Sequence, residues 1–487
     1  MPFFVRAQPG FNIAYDLGYA RNQLRKIIVV EDTVVACGIA RNDSLPNLQC
    51  LLFARFDSNG VAIDNRLICD SLQDALSVAV NWTDLIRTND GGYAFTAGCV
   101  FRNNGMLVKL RSDLSVEFIQ EFIDSVNLVE FYNTVIELPD GYLLGGYVQR
   151  PNYLQDAFLR RVDHLGNTIW LSYYGDYNLV DIFPYCYLLS DSTVLCVGGY
   201  ITNDNVMPGR GPWIAIIDIQ EGEVLNEWRP VNFQPWFLHY IYPLPDNQWI
   251  VYGKKALQTT PYPLSQGFSA VIDTNFQVDG VRMLGPTPTS FFWDVKPTPD
   301  GQFIAAGQIN AENPNIGPDV FGWLFKFSPA PDSLWSLTLT APIPNPDISG
   351  NFLGGVGLLS SGNMIAGGYA LAGNEVWPWL VKITPDGCVD SLWCVSPPVS
   401  APEAARLPGG RVYPNPAREY FWLDWPGDFP AGAIRLTLTT PDGRLAAQQW
   451  LGPGEPVWVA ALPAGLYYWQ ADTGRGQYWR GKVVVQR

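Results

Sequence analysis

The chain has 487 residues and a formal charge of −15, from 31 Lys and Arg against 46 Asp and Glu. That balance argues against nucleic acid or an anionic membrane surface as a partner, because both demand a basic face. Aromatic residues make up 14% and charged residues only 16%, with 46 Gly and 39 Pro; this is the mix of an all-β chain rich in turns, and no apolar run is long enough to be a transmembrane segment.

The first ten residues, MPFFVRAQPG, hold too short an apolar stretch for a secretory signal, so none is expected in the numbered chain. FNIAYDLGY (11–19) reads as a stray strand. From residue 20 the chain repeats, and Glu137 to Trp170 shows the unit most clearly. A polar turn precedes an apolar strand that ends on glycine. A variable loop follows, then an alternating strand, a second turn and a last strand carrying Trp170. The glycine sets the register at Gly38, Gly98, Gly146, Gly199, Gly253, Gly307 and Gly368. Another apolar strand precedes each copy, as in LRKIIVVE, YNTVIELP and FFWDVKPT. The fourth strand carries Trp170, Trp228, Trp335 and Trp393 in four of the seven copies.

Short strands bounded by Gly, Asn, Asp and Pro argue for antiparallel hairpins. Seven near-equal four-stranded units without linkers predict a seven-bladed β-propeller over residues 1–394. Glycine at the end of the second strand fits a crowded axis, where a neighbouring backbone must come close. Ring closure has two sources in the sequence: the outer strand of the last unit could come from residues 11–19 or from CVDSLWC (388–394).

None of the eight cysteines sits in a CxxC pair, which gives zinc little support. Cys50 with Cys69 and Cys186 with Cys196 each flank a hairpin turn, and Cys388 lies close to Cys394. All three pairs suit disulfides and hence an exported protein. Cys37 and Cys99 are expected to be free and buried.

No nucleophile elbow, zinc-protease, phosphate-loop or dinucleotide motif is present, and neither a metal nor a cofactor is called for. The two histidines are His164, in a turn and expected to be exposed, and His239. Carboxylates assembled from separate blades would not be visible in sequence, so a carbohydrate-active enzyme stays open. The recurring feature is aromatic. The first strands begin with Trp82, with Phe131 and Tyr132, with Phe183 and Tyr185, with Trp236 and Phe237, and with Phe291 to Trp293. Two readings fit: a ligand-stacking rim at one channel mouth, or packing between blades. On the first reading the ligand-binding residues are Trp82, Tyr132, Tyr185, Trp236, His239, Trp293 and Asp294, with Trp236, His239 and Tyr240 forming an exposed patch and Asp294 a polar anchor.

Composition shifts after Cys394. Residues 395–410 read as a Pro/Ala/Gly-rich linker, and 411–487 as a small immunoglobulin-like β-sandwich of alternating strands. This tail carries Tyr413-Pro414-Asn415-Pro416, a turn at Pro441-Asp442-Gly443-Arg444, the run Leu462 to Tyr468 containing Gly465, Leu466 and Tyr467, and a terminal Gly481-Lys482-Val483-Val484-Val485. In these motifs, their order and their terminal position, it resembles the type A C-terminal sorting domain of the type IX secretion system of Bacteroidota. The propeller repeat is more loosely similar to kelch/WD-like repeats of secreted proteins from the same bacteria. The resemblance implies export across the outer membrane by the type IX machinery, with the tail commonly removed and the cargo released or fixed to surface lipopolysaccharide. It also suggests a reading for the Asp-Ser/Thr steps at Thr33, Ser44, Ser71, Ser125, Ser192, Ser333 and Ser391, which resemble the O-glycosylation site of such proteins. Ordinary turn chemistry explains those steps equally well.

These readings converge on an extracellular or cell-surface protein. The leading expectation is a non-enzymatic binding or adhesion module for a glycan or surface protein. A self-assembling layer or filament subunit is the alternative, and an enzyme the third.

Overall fold

The computed structural model describes residues 10–389 and 411–486, short loop segments within each span excepted. All helix or strand structure among the described residues is strand. The chain divides into two compact units, Met1–Pro398 and Val399–Arg487.

In the first unit, antiparallel strands follow one another in sequence order in sets of four, except that the last set has three, Ile348–Leu358, Met364–Ala372 and Glu375–Ile383. The first set is Ala20–Val30, Thr33–Asn42, Leu45–Phe56 and Ala62–Ile68. The first strands of the later sets are Leu85–Arg87, Val129–Leu138, Leu179–Ser190, Trp236–Leu244, Ser290–Pro297 and Ile348–Leu358. In the second set Leu76–Ser77 also pairs with the second strand. Among the described residues, seven core clusters sit between neighbouring sets. The last of these joins Leu24 and Ile27 of the first set to Ile365 and Leu380 of the seventh, so the sets form a closed ring. The unit is a β-propeller.

The N-terminal strand completes the ring. Phe11–Ala14 pairs antiparallel with Glu375–Ile383, from Phe11 opposite Lys382 to Ala14 opposite Trp379. Trp379 Nε1 donates to Asn12 Oδ1 at 2.6 Å, and Lys382 Nζ reaches the Ser58 carbonyl of the first set at 2.8 Å. Similar ties recur around the ring. Trp170 Nε1 donates to the Ile219 carbonyl of the next set at 3.1 Å, and Trp335 Nε1 to that of Pro385 at 3.3 Å. Trp170 and Trp335 therefore act as outer latches between sets.

The repeat glycine answers a β-bulge. In six sets the register of the first strand shifts opposite it, for example between Leu24 and Lys26 and between Tyr132 and Thr134. The bulge pushes a carbonyl onto the glycine: a Cβ on Gly38 would collide with the Gln23 oxygen, and one on Gly146 with that of Phe131. Gly253, Gly307 and Gly368 meet the same obstacle. In the fourth set it is Gly198, not the expected Gly199, that faces the Ile182 carbonyl; Gly199 lies instead against the Phe237 ring.

Cys50–Cys69 and Cys186–Cys196 are disulfide-bonded, the second pair directly opposite in register. Cys388 is also disulfide-bonded, while Cys394 lies outside the described residues. Cys37 and Cys99 are buried thiols, Cys99 Sγ accepting from Arg102 at 3.0 Å, and burial pushes the Cys37 thiol up to about 12.

The second unit has two sheets over one core. Arg411–Tyr413, Tyr420–Asp424 and Val457–Trp458 form one; Leu445–Leu451, Ile434–Thr439, Gly465–Asp472 and Tyr478–Val485 form the other. Phe421, Leu436, Leu438, Val457, Trp469 and Val483 fill the space between them.

Candidate functional site

The residue after each bulge is Lys26, Thr134, Tyr185, Tyr240, Asp294 and Gly355 in turn. Because the sets form a ring, side chains far apart in sequence meet here. Lys26 Nζ lies 2.8 Å from Asp294 Oδ1 and 3.4 Å from the Tyr240 hydroxyl. The Val356 N–H donates to Asp294 Oδ2 at 3.0 Å, and Lys296 Nζ stands 3.6 Å from Oδ1. Asp84, just before Leu85–Arg87, takes the matching place in the second set, its Oδ2 3.4 Å from Thr134 Oγ1. The Tyr185 and Tyr240 rings touch at 4.9 Å.

Lys26 and Asp294 are shut away from solvent, with side-chain exposures of 5% and 0%. Burial works against the Lys26 charge, but Asp294 and Asp84 outweigh it and hold the ammonium above the ordinary lysine value. Burial pushes the Asp84 carboxyl up, against the pull of Lys26 and Lys296. Beside this cluster lies a cavity of about 480 Å³, lined by Asp84, Tyr185 and Lys296 and walled by Ile28, Val30 and Val135. It follows the C-terminal halves of the first strands.

The starts of the first strands present a different surface. Phe131, Phe237, Phe291 and Phe352 lie opposite Tyr147, Lys254, Gln308 and Tyr369, each partner being the residue after the repeat glycine. All four phenylalanines are half-buried. Phe131 stacks on Tyr147 and Phe352 on Tyr369, both at 4.8 Å. Lys254 sits 5.6 Å over Phe237, and Arg25 sits 4.6 Å over Tyr369 while donating to its hydroxyl at 3.1 Å. Phe291 meets Trp293 edge-on at 4.9 Å, and Trp293 Nε1 donates to Gln308 at 2.9 Å. Long connections join this end, such as those from Thr202 to Arg210 and from Gln258 to Leu264, whereas two-residue turns close the other, as between Val30 and Thr33. Variable loops at one end of a rigid scaffold are where ligand contacts concentrate.

Of the expected ligand residues, Tyr185 and Asp294 belong to the channel cluster and Trp293 to the aromatic end. Tyr132, Trp236 and His239 are instead 2%, 2% and 3% exposed. Tyr240 is buried as well, so the patch expected at Trp236, His239 and Tyr240 is not at the surface. The physical reason is strand alternation: of each adjacent pair, Phe131 and Phe237 face outward while Tyr132 and Trp236 enter the cores between sets. Trp82 lies outside the described residues. His164 is exposed, its Nε2 3.2 Å from the Pro139 carbonyl. The expected set omitted Lys26, Asp84, Lys296, Arg25, Phe352 and Tyr369. A signal existed: LRKIIVVE and WDVK each place charges inside an otherwise apolar strand.

In the tail, Tyr413, Pro414, Asn415, Pro416, Gly465 and Lys482 are exposed, Leu466 is half-buried, and Leu462 and Tyr467 are buried. Gly481 packs against the Trp469 ring, and Gly443 is outside the described residues. Among the Asp-Ser/Thr steps, Thr33 is half-buried, Ser192 is exposed in a turn, and Ser333 opens the strand Ser333–Leu339. Ser44, Ser71, Ser125 and Ser391 lie outside the described residues. Among the described residues no cluster of three or more His, Cys, Asp or Glu could hold a metal, and no helix is long and apolar enough to cross a membrane.

No family model matches the sequence. No curated protein matches it either. Solved structures do. The β-propeller domain of the Trilobed protease from Pyrococcus furiosus is 10% identical, with 76% of this chain and 94% of that one covered at a TM-score of 0.42. The polysaccharide lyase Uly1 is 10% identical over 79% and 94%, at 0.45. An α-L-arabinanase of Penicillium chrysogenum complexed with arabinobiose is 9% identical over 79% and 99%, at 0.41. At these identities and TM-scores the likeness carries no activity to this chain.

Proposed function

We propose that this protein is an exported, non-enzymatic binding module. In this reading the seven four-stranded sets are the blades of a seven-bladed propeller. The aromatic end of the ring holds a glycan or surface-protein ligand, and the C-terminal unit, an immunoglobulin-like sandwich, directs export by the type IX route. One observation carries the choice of binding over cleavage. The fully buried carboxylate of the cluster, Asp294, is committed to Lys26 and the Val356 N–H, and Asp84 lies in the field of the same lysines. Neither is an unencumbered acid or base, while the half-buried rings Phe131, Phe237, Phe291 and Phe352 recur at one end of the ring. The two described hairpin disulfides support an oxidising destination.

The test is a panel of immobilised polysaccharides and glycoproteins, read for both retention and released products. Retention without cleavage is expected. Removing two of these rings together, Phe237→Ala with Phe352→Ala, should weaken it roughly tenfold, at about 0.5–1.5 kcal/mol per ring contact. Released oligosaccharides would overturn the reading in favour of an enzyme, and undiminished retention by the double variant would remove the aromatic end from it.

A further inference from the structure

The small sheet of the C-terminal unit carries a row of four aromatic rings on its outer face. Strand alternation separates the two faces of Tyr420–Asp424: Phe421 and Leu423 enter the core, at 0% and 9% exposure, while Tyr420 and Trp422 face away from it. The neighbouring strands extend the row. Tyr413 pairs opposite Trp422, and Trp458 opposite Tyr420. Ring centroids follow one another at 5.8 Å from Tyr413 to Trp422, 4.6 Å from Trp422 to Tyr420 and 5.4 Å from Tyr420 to Trp458. The row ends in two of the most exposed large side chains of the unit, Tyr413 at 56% and Trp458 at 57%.

From this row we infer a saccharide-binding platform, separate from the propeller and independent of the role proposed for its aromatic end. The rings are not needed for the core, which Phe421, Val457, Leu436 and Trp469 already fill. They stand on fixed backbone. The Gln449 amide clasps the main chain of Trp458, donating to its carbonyl at 2.6 Å and accepting from its N–H at 3.1 Å. Asn415 Oδ1 accepts the Val484 N–H at 2.9 Å and anchors the segment after Tyr413.

Size and chemistry select the occupant. Each such ring offers roughly 150–250 Å² in all. Partly exposed, four of them amount to a few hundred Å², well short of the ~800 Å² per partner of a stable protein interface. Three strands at their usual spacing span ~10 Å, the length of a short run of sugar rings. The tyrosine hydroxyls and indole N–H groups offer hydrogen bonds beside apolar faces. A sugar ring fits both, stacking its C–H face and bonding through its edge hydroxyls.

The experiment uses the full chain and a panel of soluble polysaccharides (xylan, mannan, laminarin and a chitin oligomer), read by affinity electrophoresis and by tryptophan fluorescence. At least one polysaccharide should retard the protein. Trp422→Ala and Trp458→Ala should each weaken that retardation by about threefold to tenfold. Because Trp458 is more than half exposed, its substitution should leave thermal unfolding unaltered, so Trp458→Ala decides the matter even where Trp422→Ala fails to fold. The inference is overturned if no polysaccharide retards the chain, or if retardation survives Trp458→Ala unchanged. Loss of retardation only in the Phe237/Phe352 variant would assign the sugar to the propeller instead.

Discussion

At the scale of single residues, the repeat glycines were legible and the neighbours of each aromatic pair were not. Glycine is demanded at Gly38 and Gly146 because a bulged carbonyl occupies the space of a Cβ, and sequence shows the glycine without the bulge. In the fourth set, two adjacent glycines satisfied the pattern equally, and only the register chose Gly198. His239 looked like a surface ligand, yet it is buried. Burial, and then the nearby Lys254 charge, lower its pKa to about 3. An unfolded histidine titrates near 6.5, so the unfolded state binds more protons between these values and stability falls as pH drops from 6.5 towards 3. Asp181, with its carboxyl pushed up to about 6 mainly by burial, acts in the opposite sense over part of the same window. The comparison of wild type with His239→Gln therefore isolates the histidine. Denaturant unfolding from pH 7 to pH 4 should show the variant losing less stability than wild type, the histidine's full contribution being on the order of 4 kcal/mol. Equal losses would show that His239 does not control this acid sensitivity.

At the scale of elements, strand type and order followed from alternation and turn residues, whereas partners across the closure did not. FNIA and CVDSLWC are both short apolar segments, and nothing local distinguishes which one covers Glu375–Ile383. The ring decides, because Asn12 meets Trp379 only when the N-terminus returns to the last set. Deleting residues 1–15 should uncover that edge. At ~1 kcal/mol per ladder hydrogen bond, the loss should be roughly 3 kcal/mol or more. A lowered thermal midpoint together with concentration-dependent association is the expected result. An unchanged midpoint would mean that the strap contributes little to closure. Trp170 and Trp335 make a similar point: the recurrence of tryptophan was visible, but their partners, carbonyls of the following set, depend on curvature around the ring.

At the scale of the whole molecule, the first unit is a closed β-propeller and the second a separate two-sheet unit, and export is proposed to depend on the latter. Removal of residues 411–487 in the native host should leave the shortened protein inside the cell envelope, and fractionation with immunoblotting would check it. Normal arrival at the surface or in the medium would refute the sorting role. Ile63, Ile169 and Leu225, on outer strands of three different sets, are 54%, 50% and 57% exposed. If lateral assembly operates, these edges are where it would occur. The sequence by itself determined the β class, the repetition of short antiparallel strands and the two hairpin cysteine pairs, because each is written in local periodicity or spacing. Tertiary structure alone decided which member of each aromatic pair stays outside, how the ring closes, and that Lys26, Asp84 and Asp294 meet. Those outcomes depend on bulges and curvature that bring first strands from distant repeats to one axis, and no local pattern encodes that convergence.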